Sequence, residues 1–379
     1  MEVQLLLPRS KSYRHPSQLS SSLSERKLRR RLKLRAFAQA CYSEQVPQLS
    51  DAQLAAQIRK GVSAERVELG SRVQSLWGGY GELLRAELFG AAPQSAIVKS
   101  VAPPSEREFA RSAAKLRSHR RKLRSYEVEL AFYRSFAPSC DAACRVPALL
   151  YGEARDGRFL FVLEDLDAVG FAARRTRCDE AEITACLVWL ASFHSRFLGV
   201  APEGLWKVGT YWQLATRPDE LAALGVSPLR HAAPRIDARL NAARFKTLVH
   251  GDAKLENFCF SGSGGPVAAV DFQYVGGGVG VKDVAYFLSS CCSPAECQSQ
   301  VPRYLDVYFT ALRAALAATG SERSAPQPDA ALLEREWREL FALAWVDFYR
   351  FLLGWAPSYA DGDRYSVQLA QEVLAGIAG

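Results

Sequence analysis

Residues 250–257 read His-Gly-Asp-Ala-Lys-Leu-Glu-Asn, and Asp271 follows Asn257 by fourteen positions at the end of the apolar run Val267-Ala268-Ala269-Val270. Phe258-Cys259-Phe260 and residues 266–270 are two short apolar stretches. Ser261-Gly262-Ser263-Gly264-Gly265 between them predicts a β-hairpin with a five-residue loop. Asn257 and Asp271 are then symmetric about Gly264. Residues directly opposite in an antiparallel pair have Cα atoms roughly 4.5–5.5 Å apart, so an amide oxygen and a carboxylate at the hairpin's open end can both reach one hard cation. Mg²⁺ suits so sparse a set, because it takes one or two protein carboxylates and leaves its other positions to water and phosphate oxygens. Asp252, five residues before Asn257, sits just outside the metal as acceptor for the proton of an attacking hydroxyl.

A chain of 379 residues with 49% hydrophobic residues is long enough for two lobes and an extension, each lobe with an interior of its own. The net charge of +8 lies in residues 1–35, which hold ten Lys or Arg against Glu2 and Glu25, so the remainder balances at 38 against 38. A neutral body argues against nucleic-acid binding, which needs a basic face. The eight basic residues within 107–124 read as a solvated face. No run of 18 uncharged apolar residues occurs, so no transmembrane segment is expected. Nine cysteines without a Cys-x-x-Cys pair read as reduced thiols. The cytoplasm is therefore the expected compartment. Residues 1–45 are Ser- and Arg-rich, and read as a disordered extension, an address for plastid or mitochondrion, or a basic anchor. Oligomeric state is not legible.

Strands are expected at 73–76, 83–88 and 95–98, with a helix at 124–136 and further strands at 148–151 and 159–163. Apart from the hairpin, the rest reads helical, at 180–197, 302–318, 330–355 and 365–377.

His-x-Asp-x-Lys-x-x-Asn resembles the protein-kinase catalytic loop. Gly251 after the histidine and Val270-Asp271-Phe272-Gln273 resemble more the aminoglycoside and choline phosphotransferases. Ser75-Leu76-Trp77-Gly78-Gly79-Tyr80-Gly81-Glu82, Lys122-Leu123-Arg124-Ser125-Tyr126-Glu127-Val128-Glu129, Val162-Leu163-Glu164-Asp165-Leu166, Gly209-Thr210-Tyr211-Trp212 and Asp347-Phe348-Tyr349-Arg350-Phe351-Leu352-Leu353-Gly354-Trp355 extend the resemblance to the ecdysteroid-kinase-like, choline-kinase-like branch, in order from about residue 70 to 360. The resemblance implies an α+β, protein-kinase-like bilobal fold: a small antiparallel-sheet N-lobe over 60–165 and a larger, mostly helical C-lobe over 166–379. It also implies ATP and Mg²⁺.

By the same resemblance Lys99, held by Glu129 or failing that Glu127, would clamp the α- and β-phosphates. Gly78, Gly79 and Gly81 would let backbone N–H groups approach the phosphates. Glu164 to Leu166 would be the hinge whose backbone binds adenine. Asp252 would be the base, Lys254 a cation for the moving phosphoryl group, and Asn257 and Asp271 the Mg²⁺ ligands. His250 is expected as a loop anchor, Asp283 as an acid in the first turn of a helix, and His194 as a core residue. Trp206, Tyr211, Trp212, Trp345, Tyr349 and Trp355 are candidates for an acceptor pocket, with Asp347 a counter-charge for a cationic acceptor, although most read as core. No Ala-Pro-Glu segment follows Asp271, which argues for a small-molecule alcohol over a protein substrate. The rival reading is a non-catalytic nucleotide-binding scaffold, a pseudokinase.

Overall fold

The computed structural model describes residues 49–262, 264–319, 329–360 and 362–378. The expectations for residues 1–45 lie outside them. Five strands, β1 (Arg66–Ser75), β2 (Gly81–Phe89), β3 (Ser95–Val101), β4 (Leu149–Arg155) and β5 (Arg158–Glu164), form one antiparallel sheet in the order β1-β2-β3-β5-β4. Central strand β3 alternates Ala96 and Val98 toward one face with Ile97 and Lys99 toward the other. Edge strand β1 has ten residues where its apolar pattern suggested four, at 73–76. Its side chains are largely exposed, and its register shifts between Leu69 and Arg72 and again between Arg72 and Gln74, as suits an edge that must not recruit a further strand.

The sheet has a helix on each face. Helix α1 (Asp51–Gly61) begins with a reciprocal cap between Ser50 and Gln53 and buries Leu54 and Ile58 against Leu84, Leu88, Val98 and Val162. The second long helix lies on the other face, after the single turn α2 (Glu106–Phe109). This helix, α3 (Ala113–Ser135), starts eleven residues before the expected position because Ser112 caps it through the Lys115 N–H. Its first half is basic and carries no apolar period. Its second half buries Tyr126, Val128, Phe132 and Tyr133.

Beyond the sheet the chain is mainly helical: α4 (Glu180–Arg196), α5 (Pro218–Ala223), α6 (Pro228–Asn241), α7 (Val281–Cys291), α8 (Pro294–Thr319), α9 (Ala330–Trp355) and α10 (Arg364–Ala378). The Asp179 and Asp329 side chains cap α4 and α9, which fixes the expected starts of both. Two strand pairs are set among these helices, β6 (Thr247–Val249) with β9 (Gly276–Gly278) and β7 (Phe258–Phe260) with β8 (Val267–Ala269). The fold is therefore α+β, a small antiparallel sheet joined to a larger helical part. An aromatic column connects them. Phe132 on α3 stacks on Phe272 at 3.9 Å between ring centroids, Phe272 lies 4.6 Å from His250, and Trp189 on α4 stacks on Phe193 at 5.1 Å. None of the described helices is long and apolar enough to cross a membrane, and the eight described cysteines are all free.

Gly81 begins β2 at φ 150°, and a Cβ there would fall 1.9 Å from the Ser100 carbonyl oxygen. Gly81→Ala should therefore destabilise the nucleotide-free protein by about 2 kcal/mol or more, read as a lowered denaturant midpoint. An unchanged midpoint would show that the sheet does not require this glycine.

Candidate active site

The loop between β6 and β7 is held from below by α7. Asp283, fully buried in that helix's first turn, accepts the backbone N–H of His250 at 2.6 Å and of Gly251 at 2.9 Å, and its Oδ2 is 3.1 Å from His194 Nε2. At the other end of α7, Ser290 Oγ accepts the Leu255 N–H at 2.9 Å. Gly251 has φ 78°, and a Cβ on it would lie 2.1 Å from the Tyr274 carbonyl, so only glycine lets the loop turn here. The Tyr211 N–H in turn donates to the Gly251 carbonyl at 2.8 Å. His250 Nδ1 accepts the Asp252 N–H at 3.2 Å, which leaves Nε2 to donate to the Val270 carbonyl at 3.1 Å. These two bonds fix the neutral tautomer, and burial, the largest influence, also lowers the pKa of this imidazole. His250 is thus a loop anchor, and His194 a core residue that supports Asp283.

The hairpin differs from expectation by one residue. Phe258 pairs with Ala269 and Phe260 with Val267, which places Val270, not Asp271, opposite Asn257. The ladder closes early because Ser261 N–H and Oγ–H both donate to the Pro266 carbonyl, at 3.2 and 2.8 Å. Asp271 then leaves the strand with φ 69°, a left-handed turn that takes its side chain out of the strand's alternation. Asn257 still adjoins Asp252, and Asp271 lies within electrostatic reach of it. Asn257 Nδ2 donates to Asp252 O at 2.7 Å and Oδ2 at 3.1 Å, while the Asp271 charge acts on the Asp252 carboxyl.

The two acids are displaced in opposite directions. Burial raises the Asp252 pKa and the Asp271 charge adds to this, with Lys254, at 3.2 Å from Oδ2, opposing. For Asp271 burial pulls upward as well, but Lys99, Lys122 and Lys254 together outweigh it and hold the carboxyl below its ordinary value. Neighbouring acids driven apart in this way suit a proton acceptor and a permanently ionised ligand. Lys254 is itself raised, chiefly by the Asp252 charge, and stays a cation.

The residues fit a hard cation. Asp271 Oδ1 is buried without a hydrogen-bond partner, and Asn257 commits its donor end to Asp252, leaving the amide oxygen as its free ligating atom. Among the described residues no three His, Cys, Asp or Glu side chains converge on one point, so any ion here would draw its remaining ligands from water or substrate, as Mg²⁺ does.

Lys99 Nζ lies 2.8 and 2.6 Å from the two Glu129 oxygens and 3.8 Å from Asp271 Oδ1, all nearly or partly buried. Glu127 points outward to Arg124. In the turn before β2, the Gly79 N–H donates to the Leu76 carbonyl at 3.2 Å, so it is already engaged; Gly78 is left-handed at φ 72°. Glu164 ends β5 and pairs with Arg145, while the Leu166 carbonyl accepts from Phe171 N–H at 2.8 Å.

The six aromatic candidates separate. Trp212, Trp345 and Tyr349 are core. Trp206 stacks against Tyr274, which Tyr211 meets edge-on at 5.0 Å, and Trp355, on the far side of Tyr211, is exposed. Asp347 is no counter-charge for an acceptor. It is wholly buried and neutralised by Arg350 at 2.7 Å and Lys282 at 3.6 Å. The basic run over 107–124 is likewise not uniformly solvated, since Arg121 donates to the Thr216 carbonyl and Lys122 to Gln273 Oε1 at 3.0 Å. Lys122 and Gln273 stood in the quoted motifs without a role, and Tyr274 and the inward reach of Asp283 escaped the sequence reading. The signal for Tyr274 was its place directly after Asp271-Phe272-Gln273.

Residues 105–319 match the phosphotransferase enzyme family (APH) by sequence. No curated protein matches the chain. Similar solved structures include a microcompartment-associated aminopropanol kinase (17% identity, 84% of this chain and 99% of that one, TM-score 0.45). Others are a choline/ethanolamine kinase family protein from Mesorhizobium loti (13% identity, 81% and 87%, TM-score 0.43) and an ethanolamine kinase from Plasmodium vivax (11% identity, 81% and 81%, TM-score 0.45).

Asp283→Asn would turn an amide N–H₂ against one of the two backbone donors and leave it unpaired. We expect a loss of about 3 kcal/mol in unfolding free energy. A variant as stable as the parent would show that the loop holds its shape without the carboxylate.

Proposed function

The chain belongs to the phosphotransferase enzyme family, and from this premise we propose that it transfers the γ-phosphoryl group of ATP, with Mg²⁺, to a hydroxyl of a small molecule. The observation that carries the reading is geometric: Lys99, paired with Glu129 at 2.8 and 2.6 Å, lies 3.8 Å from the unpartnered Oδ1 of Asp271, and Asn257 Nδ2 is bonded to Asp252 at 2.7 and 3.1 Å. Lys99, steadied by Glu129, would hold the α- and β-phosphates, and residues 78–81 would cover them. The backbone from Glu164 to Leu166 would receive adenine; since the Leu166 carbonyl is already bonded, its N–H is the group on offer. In this division residues 60–165 take the nucleotide and 166–379 the acceptor.

Bound through Asn257 and Asp271, Mg²⁺ would supply charge neutralisation for the phosphate oxygens. Asp252 would orient the acceptor hydroxyl and take its proton as the oxygen attacks the γ-phosphorus. The bond from that phosphorus to the β-bridging oxygen breaks, and ADP departs with the electron pair. Lys254, beside Asp252, would offset charge on the phosphoryl oxygens in flight. Positioning supplies much of the rate in such a reaction, which is why the anchoring of the loop matters. The acceptor would be a choline-like, steroid-like or aminoglycoside-like alcohol passing the Trp206, Tyr211 and Tyr274 wall. Retention of Lys99, Asp252, Asn257 and Asp271 together supports catalysis over a scaffold role.

Purified protein given ATP, Mg²⁺ and a panel of alcohols should form ADP and a phosphorylated alcohol, and Asp252→Asn should slow this by about 10²- to 10⁴-fold. Equal turnover by both proteins would remove Asp252 from the chemistry. A second expectation concerns pH. Asp252 must be ionised to accept a proton, and Lys254 favours the ionised form, so Lys254→Met should raise its pKa further. The acid limb of kcat/KM should then move upward by about one pH unit; a limb that stays or moves down would contradict the pairing.

A further inference from the structure

Helix α3 turns a second cation toward the site that Lys99 and Glu129 occupy. Lys122 precedes Glu129 by seven residues, two helical turns on the same face. Its Nζ lies 5.0 Å from the centroid of the Tyr126 ring, and Lys99 Nζ lies 5.6 Å from the same ring, so one aromatic side chain adjoins both ammonium groups. The hydrogen-bond partner of Lys122 is Gln273 Oε1, at 3.0 Å, on a buried side chain two residues beyond Asp271; Ser125 Oγ supports that oxygen at 3.3 Å.

What sets Lys122 apart is the charge on its partner. Three lysines bear on Asp271. Lys99 is paired with Glu129 and Lys254 with Asp252, both within hydrogen-bonding distance. Lys122 has only a neutral amide. A cation partly withdrawn from water and given no carboxylate of its own is costly, and burial draws this amine down to about 8. A lysine kept at that cost, aimed past Tyr126 at the metal-ligand end of the site, is matched by an anion that arrives from outside.

We infer that Lys122 binds the nucleotide's phosphate chain beyond the α-phosphate, as a second lysine beside Lys99, with Gln273 and Tyr126 holding it in place. The inference rests on the reading that ATP occupies this cleft. The bland alternative is a tether, in which Lys122 does nothing except tie Gln273 to α3. The two differ in what the nucleotide's own length should change.

Calorimetric titration of the full chain with adenosine, AMP, ADP and ATP, the last two with Mg²⁺, separates them. Lys122→Met should weaken ATP by about ten- to a hundredfold, the size of one charge-assisted hydrogen bond, and ADP by less. Adenosine and AMP should bind as to the parent, and their binding also reports that the cleft is folded. Lys122→Gln, which keeps a donor for Gln273 without the charge, should show the same ATP-selective loss, and Lys122→Arg should recover most of it. The inference is overturned if ATP and adenosine weaken equally, if ATP is unaffected, or if Lys122→Gln restores ATP binding. Failure of the parent protein to bind any of the four would instead strike the ATP reading itself, and this inference with it.

Discussion

Asp283 gives both of its oxygens to the backbone of the loop that carries Asp252, and it does so from a position with no exposure to solvent. A buried carboxyl group that takes two backbone N–H bonds, from His250 and Gly251, with His194 Nε2 3.1 Å from Oδ2, holds the loop from two sides. It fixes the left-handed turn at Gly251, and with that the direction in which Asp252 leaves the loop. Ser290, two turns along the same helix, fixes the other end through Leu255. Phe272 then stacks on Phe132 of the helix that bears Glu129. Asp252, the Lys254 beside it and the segment containing Asp271 are therefore referenced to two rigid helices. Such rigidity is what phosphoryl transfer asks of a protein, since its chemistry lies mainly in positioning and charge.

The second constraint is electrostatic. Glu129, Asp252 and Asp271 stand among Lys99, Lys122 and Lys254 in a largely buried site, and the acidity of each carboxyl depends on the charges around it. Burial alone would raise all three acids. The lysines reverse this at Asp271, where three of them act, and not at Asp252, where Lys254 is opposed by both burial and Asp271. One short motif thus contains two carboxyl groups with different behaviour, separated by placement rather than by residue type. Lys122, without a carboxylate of its own, leaves the set ready for added negative charge.

Much of this was legible in the sequence, and the parts that were not have physical reasons. Helix α9 begins and ends where its apolar period and the Asp329 cap indicate. The central strands follow their alternation. Edge strand β1 was shortened in the reading because an edge need not alternate. Helix α1 has a capping box at Ser50 and Gln53 that was overlooked, since only Leu54 and Ile58 face the sheet. At the site, Asp252, Asn257 and Asp271 were named from spacing, His250 as a loop anchor, and Lys99 and Glu129 through the family resemblance. The hairpin register missed by one residue because symmetry about a glycine ignores a positive φ at Asp271 and the closure at Ser261. Lys122 stood in a quoted motif and a basic run without a role, and Asp347 was assigned to an acceptor, because composition cannot tell which charges in a helix turn inward. Distances across the fold decide that.

Under the proposed function Asn257 and Asp271 jointly hold one divalent ion against the nucleotide's phosphates. Mn²⁺ titrated into the protein with saturating ADP, followed by the electron paramagnetic resonance signal of the free ion, tests it without reference to any acceptor. The account predicts a nucleotide-dependent site of one Mn²⁺ per chain, weakened about tenfold or more by Asp271→Asn and also by Asn257→Ala. Undiminished nucleotide-dependent Mn²⁺ binding in both variants would contradict it.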